Sequence, residues 1–113
     1  KLSSNPDAFG FFGYSYLVAN KDKIKASSIN GVQPSLKGIQ DYSYPIARPL
    51  FFYVKKAHIG VIPGIQEYMK EFTSKKSMGS RGYLAEIGLV PLAADKYKVT
   101  RTAAVDLNTI KIK

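Results

Sequence analysis

Two apolar stretches constrain this chain more than any other feature. Phe9–Val18 reads Phe-Gly-Phe-Phe-Gly-Tyr-Ser-Tyr-Leu-Val, rich in aromatic residues with two glycines. Leu50–Val54 follows two prolines, Pro45 and Pro49, which exclude helix and hold Tyr44 and Arg48 extended. Both stretches read as strands apolar on both faces, and such strands need a covering layer on each side. Gly10 and Gly13 suggest a bend or a close backbone approach within the first. The rest of the chain supplies only short helices. With 113 residues it makes one domain at most, and part of its covering must come from elsewhere.

The remaining segments punctuate clearly. Asn5-Pro6-Asp7 and Asn30-Gly31 are turn signals. Lys23–Ile29 alternates weakly, as an exposed strand does. Pro34 can open a short helix through Asp41 with Leu36 and Ile39 on one face. Pro63 begins the clearest helix, to about Lys76, with Ile65, Tyr68 or Met69, and Phe72 on its apolar side and Glu71 and Lys75 spaced as an i,i+4 pair. Ser80 can cap a second short helix through Ile87, with Gly88 at its left-handed exit. Residues 96–113 alternate loosely and read as a strand or a tail. No repeat, low-complexity tract or membrane-length apolar run appears, so no membrane insertion is expected. The opening KLSSNPDA lacks a signal-peptide pattern.

Composition removes whole classes of chemistry. There is no cysteine and one histidine, so thiol catalysis, disulfides and a cysteine-based zinc site are excluded. His58 has no nucleophile or orienting carboxylate nearby in sequence and reads as a surface-loop histidine. No catalytic residue, metal site or cofactor is expected, and an enzyme is the weakest reading. The formal net charge is +9, spread evenly between the halves with no dense basic block. It favours anionic partners without selecting one. The interleaved aromatics and lysines leave a small basic nucleic-acid-binding domain as the alternative reading, although the aromatics fit core packing better than a stacking platform. Gly10–Gly13 and Gly79–Gly82 match no phosphate loop. Ser80-Arg81 at a helix start could hold an anion, but capping alone explains the serine. Arg48, fixed between two prolines, suits either a structural ion pair or an anion cleft or hinge.

Three segments resemble a known family. Ala8–Leu17, AFGFFGYSYL, looks like the "G-x-x-G-Y-S-Y/F" strand of bacterial phosphate-binding proteins of ABC transporters. Tyr44–Lys55, YPIARPLFFYVK, resembles their "Y-P-L-S-R-P-L-F-x-Y-V-K" strand, and Gly82–Leu92, GYLAEIGLVPL, their "G-Y-L-A-x-x-G-L-x-P-L" segment. The blocks stand in the family's order and approximate spacing. Met78 stands where the family would lead one to expect a Trp, and the last twenty or so residues match less well.

The resemblance implies an α/β fold: a fragment of a two-lobed, type 2 periplasmic-binding-protein fold, with a mixed sheet flanked by helices. Residues 1–113 would be the C-terminal portion, with 1–32 in one lobe and 33–113 mainly returning to the other. It implies binding of inorganic phosphate in the periplasm, delivery to ABC transporter permease subunits, and no nucleic acid as partner. The main phosphate ligands are expected upstream, leaving Gly13, Tyr14 and Arg48 as cleft or hinge candidates. The aromatic segments should then pack against the missing N-terminal portion or a second copy of the chain.

Overall fold

The computed structural model describes residues 2–110. Among these, the expected mixed sheet does not form. Pairing is limited to two isolated bridges, Ile29 with Val32 and Ile59 with Ile62. The physical reason is local. A strand satisfies its N–H and C=O groups only through a partner, whereas a helix satisfies its own. No segment pairs with Phe9–Val18, so its second half closes on itself as helix α1 (Tyr14–Ala19) and Phe9–Phe12 stays irregular. Leu50–Val54 is extended and unpaired, its aromatic and β-branched residues disfavouring helix. The apolar residues expected in a core are exposed: Phe11 at 77%, Phe51 at 68% and Leu50 at 80%.

The described residues divide into two units. One runs up to Arg48 and includes Ile87–Val90; the other takes Pro49–Glu86 and continues from Pro91. The first unit holds α1, a tight hairpin and α2 (Leu36–Gln40). Ile29 and Val32 exchange both backbone hydrogen bonds at 3.0 Å around Asn30-Gly31. That two-residue turn needs two left-handed residues, and φ is 51° at Asn30 and 78° at Gly31. Ser35, rather than Pro34, starts α2: its hydroxyl accepts from the Gly38 N–H at 3.0 Å. Tyr44 ties this end of the unit together, its N–H donating to the Gly38 carbonyl and its hydroxyl to the Ser27 carbonyl.

The second unit is helical. The helix expected from Pro63 to Lys76 forms as two pieces, α3 (Ile65–Phe72) and α4 (Lys75–Met78). The break lies at Thr73-Ser74, where hydroxyls compete for backbone partners. Thr73 Oγ1 donates to the Met69 carbonyl at 2.7 Å, and Ser74 Oγ accepts from the Ser77 N–H as the cap of α4. The break places Glu71 and Lys75 on different helices, so they are no longer an i,i+4 pair of one helix. Met69, Thr73 and Ser77 are buried in sequence steps of four and form a thin core that is mostly polar. Helix α5 (Tyr83–Glu86) begins three residues after Ser80, which therefore lies in the preceding turn and not at the cap. Gly82 is buried, and a Cβ there would overlap the Ser77 carbonyl. Gly88 does take the left-handed exit, at φ 102°.

The loosely alternating segment from residue 96 is also a helix, α6 (Ala94–Val105); the expectation for 111–113 lies outside the described residues. Its inward side is Tyr97, Arg101 and Ala104, one turn apart, and an arginine among them hides the helical period. Tyr97 donates its hydroxyl to the Thr73 carbonyl at 2.9 Å, and Arg101 Nη1 donates to the Lys70 carbonyl at 3.3 Å. Both carbonyls belong to the C-terminal end of α3, where no intrahelical donor reaches them. Helix α6 ends with Leu107 at φ 57°, its N–H bonded to the Ala104 carbonyl and that of Asn108 to the Ala103 carbonyl. Lys56 Nζ donates to the Leu107 carbonyl at 3.0 Å.

Two substitutions test this polar packing. Tyr97→Phe removes one hydrogen bond to a helix end and should lower stability by about 1 kcal/mol, read as a lower denaturation midpoint. Ser77 Oγ is buried without a hydrogen-bond partner, so Ser77→Ala should raise the midpoint. A midpoint lowered by Ser77→Ala would show that the hydroxyl is satisfied.

Candidate functional site

The residues proposed to touch a cleft all lie in the first unit. Gly13 precedes α1 with ordinary extended backbone, φ −63° and ψ 148°, and its carbonyl accepts from the Tyr16 N–H at 3.0 Å. A Cβ at Gly13 would meet only Ser15 Oγ, at 3.8 Å. Neither backbone conformation nor crowding within the chain requires glycine there. Tyr14 opens α1 and is half-buried. With only six residues, α1 has too short a dipole to make an anion site on its own.

Arg48 is exposed and closes a turn. Its Nη1 donates to the Pro45 carbonyl at 3.1 Å and to the Ala47 carbonyl at 2.7 Å, while the Ala47 N–H donates to the Tyr44 carbonyl at 2.9 Å. Pro45 and Pro49 fix the flanking backbone, and the guanidinium fills the inside of the bend. Among the described residues the hydrogen-bond partners of Arg48 are carbonyl oxygens. No hydrogen bond or ion pair among the described residues joins Arg48 to Gly13 or Tyr14. Gly13 and Tyr14 are neighbours in sequence.

In the second unit an open groove of about 440 Å³ runs between Phe52–Lys55 and the start of α3, with Pro63, Gly64, Ile65 and Tyr68 on its far side. Phe52 stacks obliquely on Phe72 at 4.7 Å between ring centres and lies 5.5 Å from Tyr68. Such spacings are ordinary for aromatic packing. Among the described residues Lys55 is the cation that lines the groove. His58 ends a short 3-10 turn, Lys56–His58, its carbonyl accepting from the Ile62 N–H at 2.9 Å. Arg81 is exposed in the turn before α5.

The described residues contain no cluster of three or more His, Cys, Asp and Glu side chains able to hold a metal, and no helix long and apolar enough to cross a membrane. What the arrangement offers chemically is hydrogen-bond donation and apolar contact. Sequence reasoning missed the structural roles of Lys56, Tyr97 and Arg101. Each acts on a backbone carbonyl between 24 and 51 positions away, a separation that leaves no local signal.

Comparison with known proteins fits the segments quoted above. The model of a family described as a PBP superfamily domain matches residues 1–76. The phosphate-binding protein PstS of Staphylococcus aureus strain USA300 is 36% identical over 91 residues, covering 74% of this chain and 28% of the relative. The PstS of the bovine strain RF122 is 34% identical over the same shares. The chain thus spans little more than a quarter of the length of the curated relatives it matches. No solved structure matches it. With two thirds of its residues under one family model, the chain belongs to the PBP superfamily.

Proposed function

We propose that this chain serves as the C-terminal portion of a bilobed solute-binding protein that binds inorganic phosphate in the periplasm and delivers it to an ABC-type permease of the membrane. Residues 1–32 would fall in one lobe and 33–113 mainly in the other. The observation that carries the reading is the 36% identity to phosphate-binding protein PstS across 74% of the chain. Charge and chemistry support it. A net charge of +9 favours an anionic solute, and nothing in the chain resembles an acid–base or nucleophilic constellation.

Exposure supports the partial nature of the segment. Among the described residues one apolar side chain is buried, Met69, while Phe9, Phe11, Leu50, Phe51 and Tyr53 are each more than two-thirds exposed. Fully burying a side chain of this kind is worth about 1.5–3 kcal/mol. Polypeptide of the same protein outside this chain is the natural covering, because the match takes up only 28% of the relative's length. On this reading Gly13 leaves room for a neighbouring backbone or the solute, and Tyr14 stands beside it. Arg48 shapes the 44–47 turn and does not act as an anion ligand through Nη1, which two carbonyls already occupy.

Calorimetric titration with inorganic phosphate separates the parts of the proposal. Residues 1–113 alone should give no binding at micromolar concentration, and a chain spanning the whole length of the relatives should bind. Tight binding by residues 1–113 alone would overturn the division of labour. No binding by the longer chain would overturn phosphate as the solute. Arg48→Lys keeps the charge but loses the planar fork, so the longer protein should unfold at a lower temperature while its phosphate affinity falls less than tenfold, that is by less than ~1.4 kcal/mol. A larger loss of affinity at unchanged stability would make Arg48 a ligand.

A further inference from the structure

We infer that Asn30 is a site of spontaneous deamidation that opens the hairpin of the first unit. The chain has four asparagines, and the structure separates their reactivities. Cyclisation requires the backbone nitrogen of the following residue to reach the side-chain Cγ and lose its proton. Asn5 precedes Pro6, which has no N–H to lose, and its Oδ1 accepts from the Asp7 N–H at 3.1 Å. Asn20 is held by its own Nδ2, which donates to the Tyr16 carbonyl at 2.9 Å, and its successor Lys21 carries a long side chain. Asn108 precedes β-branched Thr109, and its N–H is bound to the Ala103 carbonyl at the end of α6.

Asn30 differs on every count. It is exposed, and its side chain makes no hydrogen bond among the described residues. Its successor is Gly31, also exposed, with nothing within 4 Å of the place a Cβ would occupy. In this two-residue turn the backbone bonds are made by Ile29 and Val32, so the Gly31 N–H is not engaged.

The chemistry balances with water alone. The Gly31 nitrogen, its proton taken by solvent base, forms a bond to Asn30 Cγ. The Cγ–Nδ2 bond breaks and ammonia leaves, giving a five-membered succinimide. Water then opens either carbonyl. Opening at Cγ yields aspartate; opening at the backbone carbonyl yields isoaspartate, which routes the main chain through one extra methylene. Either product adds a negative charge and lowers the formal net charge of +9 by one. Isoaspartate also lengthens a turn whose two hydrogen bonds, both 3.0 Å, depend on a two-residue span.

The test is timed peptide mapping by mass spectrometry of the intact protein held in mildly alkaline and mildly acidic buffers. The peptide containing Asn30 should gain about one dalton and resolve into aspartate and isoaspartate forms. Its conversion should run faster at the higher pH and ahead of the peptides holding Asn20 and Asn108. Amide exchange at Ile29 and Val32 should rise with the isoaspartate fraction. Conversion of Asn20 or Asn108 as fast as Asn30, or an unchanged Asn30 after the others have reacted, overturns the assignment.

Discussion

Where α3 ends, the carbonyl groups of Lys70 and Thr73 lack intrahelical donors, and α6 supplies them through Arg101 and Tyr97. The arrangement of the second unit depends on this exchange. Among the described residues Met69 is the one buried apolar side chain, so hydrophobic burial contributes little to docking α6. It docks because carbonyls at a helix C-terminus carry partial negative charge and attract cations and hydroxyls. The far end of α6 follows the same rule, with Lys56 on the Leu107 carbonyl. Near the mid-chain Arg48 also holds carbonyls, those of Pro45 and Ala47, but in a turn and not at a helix end. Part of the chain's positive charge thus has a structural task, which weakens any argument from net charge to a polyanionic partner.

Polar fastening of this kind is specific in direction but modest in energy. A typical hydrogen bond contributes about 1 kcal/mol net, against a backbone ordering cost of about 1–2 kcal/mol per residue. A few such contacts position segments without supplying the driving force for a stable domain. That force normally comes from buried apolar surface, and here the large apolar side chains face outward. The imbalance is a property of the residues themselves. Phe9, Phe11, Phe51 and Tyr53 have no neighbouring layer within the described residues that buries them.

Elements whose cause is local were legible in sequence. Asn30-Gly31 specifies its turn through two left-handed residues, and Gly88 its left-handed conformation after α5. The short helix near 36–40 and the helix near 65 were legible from apolar spacing, although Ser35 and not Pro34 starts the first. Elements whose cause is distant were not legible. A ten-residue apolar run is ambiguous between strand and buried helix, and the choice at Phe9–Val18 went to α1 because no partner strand lies alongside. Helix α6 was hidden because its inward face includes Arg101. The break at Thr73-Ser74 was hidden because hydroxyl competition leaves the apolar period intact. For the site, the family resemblance was legible in three ordered blocks. The engagement of Arg48 by two carbonyls was not, because nothing in YPIARPL tells a ligand arginine from one that fills its own turn.

Recognition of a small oxyanion in a closed cleft requires that nearly every donor aimed at it be otherwise free, because a missing partner in a dry site costs several kcal/mol. Arg48 Nη1, Arg101 Nη1, Lys56 Nζ and the Tyr44 and Tyr97 hydroxyls are five side-chain donors of this chain that hold backbone carbonyls. The feature left without a local reason is the opposite of a donor: Gly13, where neither φ nor crowding forbids a side chain. A glycine not needed by its own fold marks a place where something else approaches the backbone. On the proposed reading as a portion of a solute-binding protein, this segment would contribute shape and close approach, and the hydrogen-bonding that selects the anion would come from the part of the relatives that the chain does not span.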